Sequence, residues 1–237
     1  MLRLEKLIAR NLGCSRRDAL RLMAEARSRG AQLPDSIAPA QMPLTLSLAG
    51  QPMVLRDSFH LLLNKPKGCV TALRDARHES ALAFIKSAPL LAELRPVGRL
   101  DLDTTGLLLW TTDGHWLHRL THPRSNIERT YQASLARPFL PLAPGLALRD
   151  GHQPNITELR KLAENHIHPA LEKPAASACF AQISITGGAY HEVRRIFAAL
   201  DSHVLALCRV RFGGFTLPAD LPPGAWREVQ PGMPAGC

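Results

Sequence analysis

Two aspartates, Asp101 and Asp103, stand two residues apart in a short polar run, Asp101–Gly106. Paired carboxylates near a scissile glycosidic bond are one way to do acid–base or nucleophilic work at a sugar carbon. The same two acids, with Thr104 and Thr105, could equally hydrogen-bond the turn that carries them, and spacing alone leaves both readings open. Metal chemistry is not expected. The five cysteines (Cys14, Cys69, Cys179, Cys208 and Cys237) form no Cys-x-x-Cys pair, and none of the ten histidines stands at finger-like spacing from them. His115, His118 and His122 fall at helical spacing without a partnering carboxylate or thiol. The cysteines read as reduced and mostly buried.

The elements that must position the Asp101 loop can be read around it. Candidate strands are His60–Asn64, Pro96–Leu100, Leu107–Thr112, Thr130–Leu135, Ala178–Ile185 and Leu205–Phe212. Helices are expected over Ser80–Lys86, Gly114–Leu120 and His191–Leu200. In the last, Val193, Ile196, Phe197 and Leu200 give a buried stripe with the spacing of one helix face. The polar loop would thus sit between two strands, a rigid mount for a reactive side chain. From Pro218 onward the chain is rich in Pro and Gly, and no element is assigned there.

The first thirty residues differ in character. They hold eight basic residues against three acidic ones, within a chain of 237 residues carrying 29 Lys+Arg, 20 Asp+Glu and a formal charge of +9. Such a surplus suits a polyanionic partner, because each neutralised phosphate releases counterions. Leu4, Leu7 and Ile8 form one apolar stripe, ended by Gly13; Ala19, Leu22, Met23 and Ala26 form a second, ended by Gly30. Ser15-Arg-Arg-Asp18 reads as a capping box between them. Arg17 and Arg21 lie one turn apart and off the second stripe, with Arg16 beside them. They form either a solvated face or a row of phosphate contacts. Residues 31–57, punctuated by four prolines, suggest a small sheet and then a linker near Arg56–Ser58. No apolar run approaches the length of a membrane span, and Met1–Arg10 lacks the apolar core of a secretion signal, so a cytoplasmic location is expected.

Four ordered stretches then carry a resemblance. Gly98-Arg-Leu-Asp101, Thr105-Gly-Leu-Leu-Leu109 and Thr112-Asp-Gly114 closely resemble the signature of bacterial RNA pseudouridine synthases, in the RsuA-like branch that modifies ribosomal RNA. Leu63-Asn-Lys-Pro-Lys-Gly68, Glu128-Arg-Thr-Tyr131 and Tyr190-His-Glu-Val-Arg-Arg195 agree in order and spacing. The Arg3–Arg29 region is similar to an S4-type RNA-binding domain. The resemblance implies an α+β protein. A small S4-like domain (residues 1–57) would precede a catalytic domain (residues 58–237) whose mixed, mainly antiparallel sheet is flanked by helices. It implies isomerisation of uridine to pseudouridine in ribosomal RNA without cofactor. The expected target is 16S rRNA, free or in a small-subunit assembly intermediate, and the enzyme a monomer.

By that resemblance Asp101 is the essential carboxylate, attacking C1′ or taking the C2′ proton. Tyr131 stacks on the target uracil, and Arg194 pairs with Asp101 to keep it ionised in a dry pocket. Arg99 and Lys65, with Arg16, Arg17 and Arg21, would contact RNA, and Asp103 is left to loop structure. Alternatives are the same chemistry on 23S rRNA, an RNA-binding assembly factor with a spent site, or a nucleoside or glycan hydrolase using Asp101 and Asp103. Two departures stand out. The branch reads Glu-Gly-Arg/Lys before Tyr-His-Gln-Val, where this chain has Gly187-Gly188-Ala189 and then Glu192. Ala31–Ser36 replaces the usual turn of the S4 domain.

Overall fold

A computed structural model describes residues 1–48 and 50–232; Cys237 lies outside them. They divide into two compact units. One holds Met1–Phe59 with Ser87–Leu94 and Thr111–Asp113; the other holds the remaining described residues.

In the first unit, α1 (Leu4–Leu12) and α2 (Arg16–Ser28) form as the two apolar stripes require, burying Leu4, Leu7, Ile8, Ala19, Met23 and Ala26 together. The Ser15 hydroxyl caps α2 by accepting from Asp18 N at 3.1 Å, while it donates to the Asp18 carboxylate at 2.6 Å. The carboxylate therefore closes on the hydroxyl, and the reciprocal bond to backbone expected of a capping box is replaced. Leu44–Leu48 and Gln51–Leu55 make an antiparallel hairpin, and Ser36–Ile37 pairs with Leu2–Arg3. The segment 87–94 is tied in by a bidentate ion pair. Arg10 Nε and Nη2 each donate to the Glu93 carboxylate at 2.8 Å, and Nη1 donates to Asp57 at 3.1 Å.

The second unit is built on a nine-stranded sheet. Its main path runs Ile156–Leu162, Cys179–Ile185, Arg129–Leu135, Val204–Phe212, Thr104–Thr111, His60–Lys65 and Trp226–Glu228. The left half pairs antiparallel, whereas Val204–Phe212 runs parallel to Thr104–Thr111. Thr104–Thr111 and His60–Lys65 are buried along their whole lengths, as expected of central strands covered on both faces. Leu107, Leu109, Trp116, Leu120, Cys208, Val210 and Phe212 lie in the core cluster of this unit. Helices α3 (Gly114–Thr121) and α4 (Glu192–Ala199) match their expected positions closely.

The α+β class and the mixed sheet agree with the sequence reading, but four local expectations change. Of the expected strand Pro96–Leu100 only Pro96 is strand, together with Arg95 in the short strand Arg95–Pro96, because Val97–Asp103 is used as loop. Ser80–Lys86 forms a 3-10 turn over Ala81–Ile85 in place of an α-helix. Ile156–Leu162, unassigned from sequence, is a charged strand at one end of the sheet path. Trp226–Glu228, in the tail where no element was assigned, pairs with Leu61–Leu63 at the other. Cys69 and Cys208 are buried free thiols, while Cys14 and Cys179 are half-buried. No helix among the described residues is long and apolar enough to cross a membrane.

Candidate active site

The loop that carries Asp101 is held by backbone bonds from three directions. Gly68 N donates to Leu102 O at 2.8 Å. Thr71 Oγ1 donates to Leu100 O at 2.8 Å and accepts from Leu100 N at 3.0 Å. Thr104 N closes the turn onto Asp101 O at 3.1 Å. The fourth anchor is Lys65. Its ammonium, fully buried at the end of strand His60–Lys65, donates to the carbonyls of Thr104 (2.9 Å), Asp101 (3.0 Å) and Pro66 (3.2 Å). Burial pushes its pKa down, against the opposing pull of Cys69, Asp101 and Asp103. Lys65 therefore cannot be the phosphate contact expected from sequence. It spends all three donors on the loop bearing the reactive acid.

Asp101 opens onto a cleft of about 810 Å³ in the second unit. Of the residues singled out from sequence, Asp101, Tyr131, Arg194 and Arg99 line this cleft, and Lys65 does not. Arg99 is exposed. Tyr131 is 8% exposed on strand Arg129–Leu135, opposite Arg209 of the neighbouring strand. Arg16, Arg17 and Arg21 lie exposed on α2 in the first unit, where Arg16 is bonded to the buried Glu5 at 2.7 Å and holds that carboxyl below its usual range.

The expected pair between Arg194 and Asp101 is not formed. Arg194 Nη2 lies 2.9 Å from Asp103 Oδ2, without hydrogen-bond alignment, and Nη1 donates to Val204 O at 3.2 Å. The group facing Asp101 is instead His191, whose Nε2 is 3.7 Å from Oδ1. His191 adopts the left-handed region just before α4 (φ 49°), which turns its ring toward the Asp101 loop. Its ring stacks on exposed Tyr190 with centroids 3.9 Å apart. Asp103, set aside as loop structure, is thus the residue that ties α4 to the loop.

Sequence reasoning missed two other cations in the cleft. Arg129 donates through Nη1 to the carbonyls of Ile127, Thr186 and Gly187, fixing the start of the segment that carries Tyr190 and His191. Arg209 is 1% exposed and donates through Nε to Leu107 O at 2.8 Å. Both guanidiniums sit against the Phe212 ring, at 5.2 and 5.0 Å. Gly106 makes this packing feasible. At φ +99° it lies opposite Arg209, and a Cβ there would fall 2.7 Å from Cys208 Sγ, 2.9 Å from Arg209 N and closer still to Arg209 O.

Within the first departure noted in sequence, Gly187 and Glu192 explain each other. Glu192 is buried at the first position of α4, accepting from Ala189 N at 3.0 Å and pairing with His152 Nε2 at 2.7 Å. Its two carboxylate oxygens occupy the space a side chain at 187 would need, 2.5 Å from a Cβ built on Gly187.

The cleft therefore combines one half-buried carboxylate on a fixed loop, an aromatic wall and several cations, a set suited to a sugar carbon and a planar base. Comparison with known proteins points the same way. A family model described as RNA pseudouridylate synthase matches residues 59–199. The ribosomal small subunit pseudouridine synthase A of Escherichia coli (strain K12) is 35% identical over 235 residues, covering 96% of this chain and 96% of that protein. The protein of the same name from Pseudomonas aeruginosa is 34% identical over 242 residues, covering 97% of each. A solved structure titled "Crystal structure of pseudouridylate synthase" is 27% identical, covers 97% of this chain and 96% of its own, and superimposes with a TM-score of 0.58. The chain belongs to the RNA pseudouridylate synthase family and is an enzyme that isomerises uridine within RNA.

Proposed function

We propose that the substrate is the RNA of the small ribosomal subunit, 16S rRNA, modified at one uridine in the cytoplasm by a monomeric enzyme. The names of the relatives matched over nearly the whole chain support this choice. Residues 1–57 serve as an S4-type RNA-binding module ahead of a catalytic domain, residues 58–237. The helix pair and hairpin of the first unit, with exposed Arg17 and Arg21 on α2, support that reading.

Asp101 acts on the sugar, by attack on C1′ or by taking the C2′ proton. The uracil leaves, turns and rejoins through C5. The observation that carries this assignment is the position of Asp101, on a four-way-anchored loop opening into the cleft that Tyr131 lines. The target nucleotide must first leave its stack, at a cost of a few kcal/mol, and contacts elsewhere on the RNA offset that cost. Tyr131 stacks on the extruded base. Arg194, through Asp103, positions the loop, and His191 faces the carboxylate directly. Arg99 contacts the RNA backbone beside the opening.

The test is to incubate the protein with unmodified 16S and 23S rRNA, free and as ribonucleoprotein, and to map pseudouridine by chemical labelling and primer extension. One labelled site in 16S rRNA is expected. Asp101→Asn should abolish it, a loss on the order of 10⁴-fold or more as for other groups acting directly on substrate. Labelling confined to 23S rRNA would reassign the target, and full activity of Asp101→Asn would overturn the site.

A further inference from the structure

Arg209 is the most deeply buried cation of the cleft that has donors to spare. Its Nε is used by Leu107 O, but its Nη2, also buried, has no hydrogen-bond partner among the described residues. An isolated buried charge is costly, and burying its donors unpaired adds to the cost. No carboxylate among the described residues is bonded to it; its neighbours are the Phe212 ring, with Arg129 against the same ring, and Tyr131 directly across the strand pair. Such a group is a site waiting for an acceptor.

We propose that Arg209 is a catalytic residue that holds the detached uracil and neutralises the charge it carries. This deepens, and rests on, the function proposed above. At 1% exposure Arg209 lies too deep for a phosphate on the RNA strand, whereas the base is the part of an extruded nucleotide that penetrates furthest. When the N1–C1′ bond breaks, its electron pair goes to the uracil, and the negative charge spreads from N1 onto O2 and O4. A planar guanidinium beside the aromatic wall meets those oxygens with directed N–H donors in a site shielded from water. The ring then turns, C5 bonds to C1′, the C5 proton leaves, and N1 regains a proton. The charge on the ring is discharged, and Arg209 returns to its resting state.

The test uses small-subunit rRNA transcribed with uridine or with 5-fluorouridine, and follows single-turnover loss of the N-glycoside at the target. Fluorine at C5 stabilises the departing anion by itself, so a protein group doing the same work matters less. Arg209→Met should slow the uridine RNA by about 10²–10³-fold, the scale of removing one preorganised donor. RNA affinity should be unchanged, and the fluorinated RNA should suffer less than a tenth of that penalty. Arg209→Lys, which keeps a cation at the same depth, should regain part of the rate and show the same narrowing. Equal penalties on the two RNAs for either variant, or a wild-type rate in Arg209→Met, would overturn the proposal while leaving Asp101 in place. A wild-type protein inert on both RNAs would remove the parent reading, and this one with it.

Discussion

The cations of the two units are put to opposite uses. In the N-terminal unit most lie exposed on helices, several paired with acids: Arg16 with Glu5, Arg27 with Asp35, Arg29 with Glu25, and Arg21 loosely with Asp18 at 3.6 Å. Arg17 has no ion-pair partner among the described residues. In the second unit, Lys65, Arg129 and Arg209 turn inward and bond mainly to backbone carbonyls. A net charge of +9 therefore overstates what is available to a polyanion. Part of it is structural, spent on holding loops, and only a subset faces outward.

The contrast breaks first at Lys65. Lys65→Met should remove the ammonium that bonds three backbone carbonyls, that of Thr104 in a buried setting, destabilise by about 3 kcal/mol or more in chemical denaturation, and cut activity sharply as the Asp101 loop loosens. A variant with wild-type stability and weaker RNA binding would restore Lys65 as a surface contact. Next comes Gly106→Ala, whose added methyl meets Arg209 and Cys208 at a backbone angle alanine resists. A cost of about 2–3 kcal/mol is expected, and an unchanged melting curve would contradict the close approach of the two strands.

The exposed set should respond in the other way. Replacing Arg17 and Arg21 with Gln should change stability by no more than about 0.5 kcal/mol. It should also weaken rRNA binding and lower the slope of log affinity against log salt by about two. An unaltered slope would argue against this helix touching RNA. The smallest effect belongs to Arg16→Gln, which should hardly move the salt slope because Arg16 is engaged with Glu5. Glu5 is held below its usual range, so the pair stabilises above the ordinary carboxylate pKa, and that contribution fades as pH falls and the acid protonates. The variant should therefore differ from wild type in stability near neutral pH and converge with it in acid.

These contrasts mark what could be read in the sequence. The helix pair, its hydroxyl cap and the strand that follows the Asp101 loop were legible because stripes and turn residues are local signals, whereas the strand expected before that loop, Pro96–Leu100, was not formed beyond Pro96. The loop's anchoring was not legible. Lys65 looks like any basic residue in a Lys-Pro-Lys run until the strand that buries it is placed against the turn. Arg209 sits in an alternating strand where Arg211, two residues on, is exposed; only the pairing of residue 131 with residue 209 distinguishes them. Trp226–Glu228 is three residues long and owes its strand form to the partner at Leu61–Leu63. Arg194 lines the cleft beside Asp103 and not in the expected pair with Asp101, since the two acids differ only in which way the turn sends them.

The interlock of Gly187 and Glu192 also constrains how this stretch could change over time. A mutation that installs any larger residue at 187 meets an occupied volume, whereas shortening residue 192 first empties it and strips His152 and the Ala189 amide of their acceptor. The two positions are bound into an ordered route in which one step opens the door for the other. Reversals taken out of sequence would be selected against, even where each end of the route works equally well.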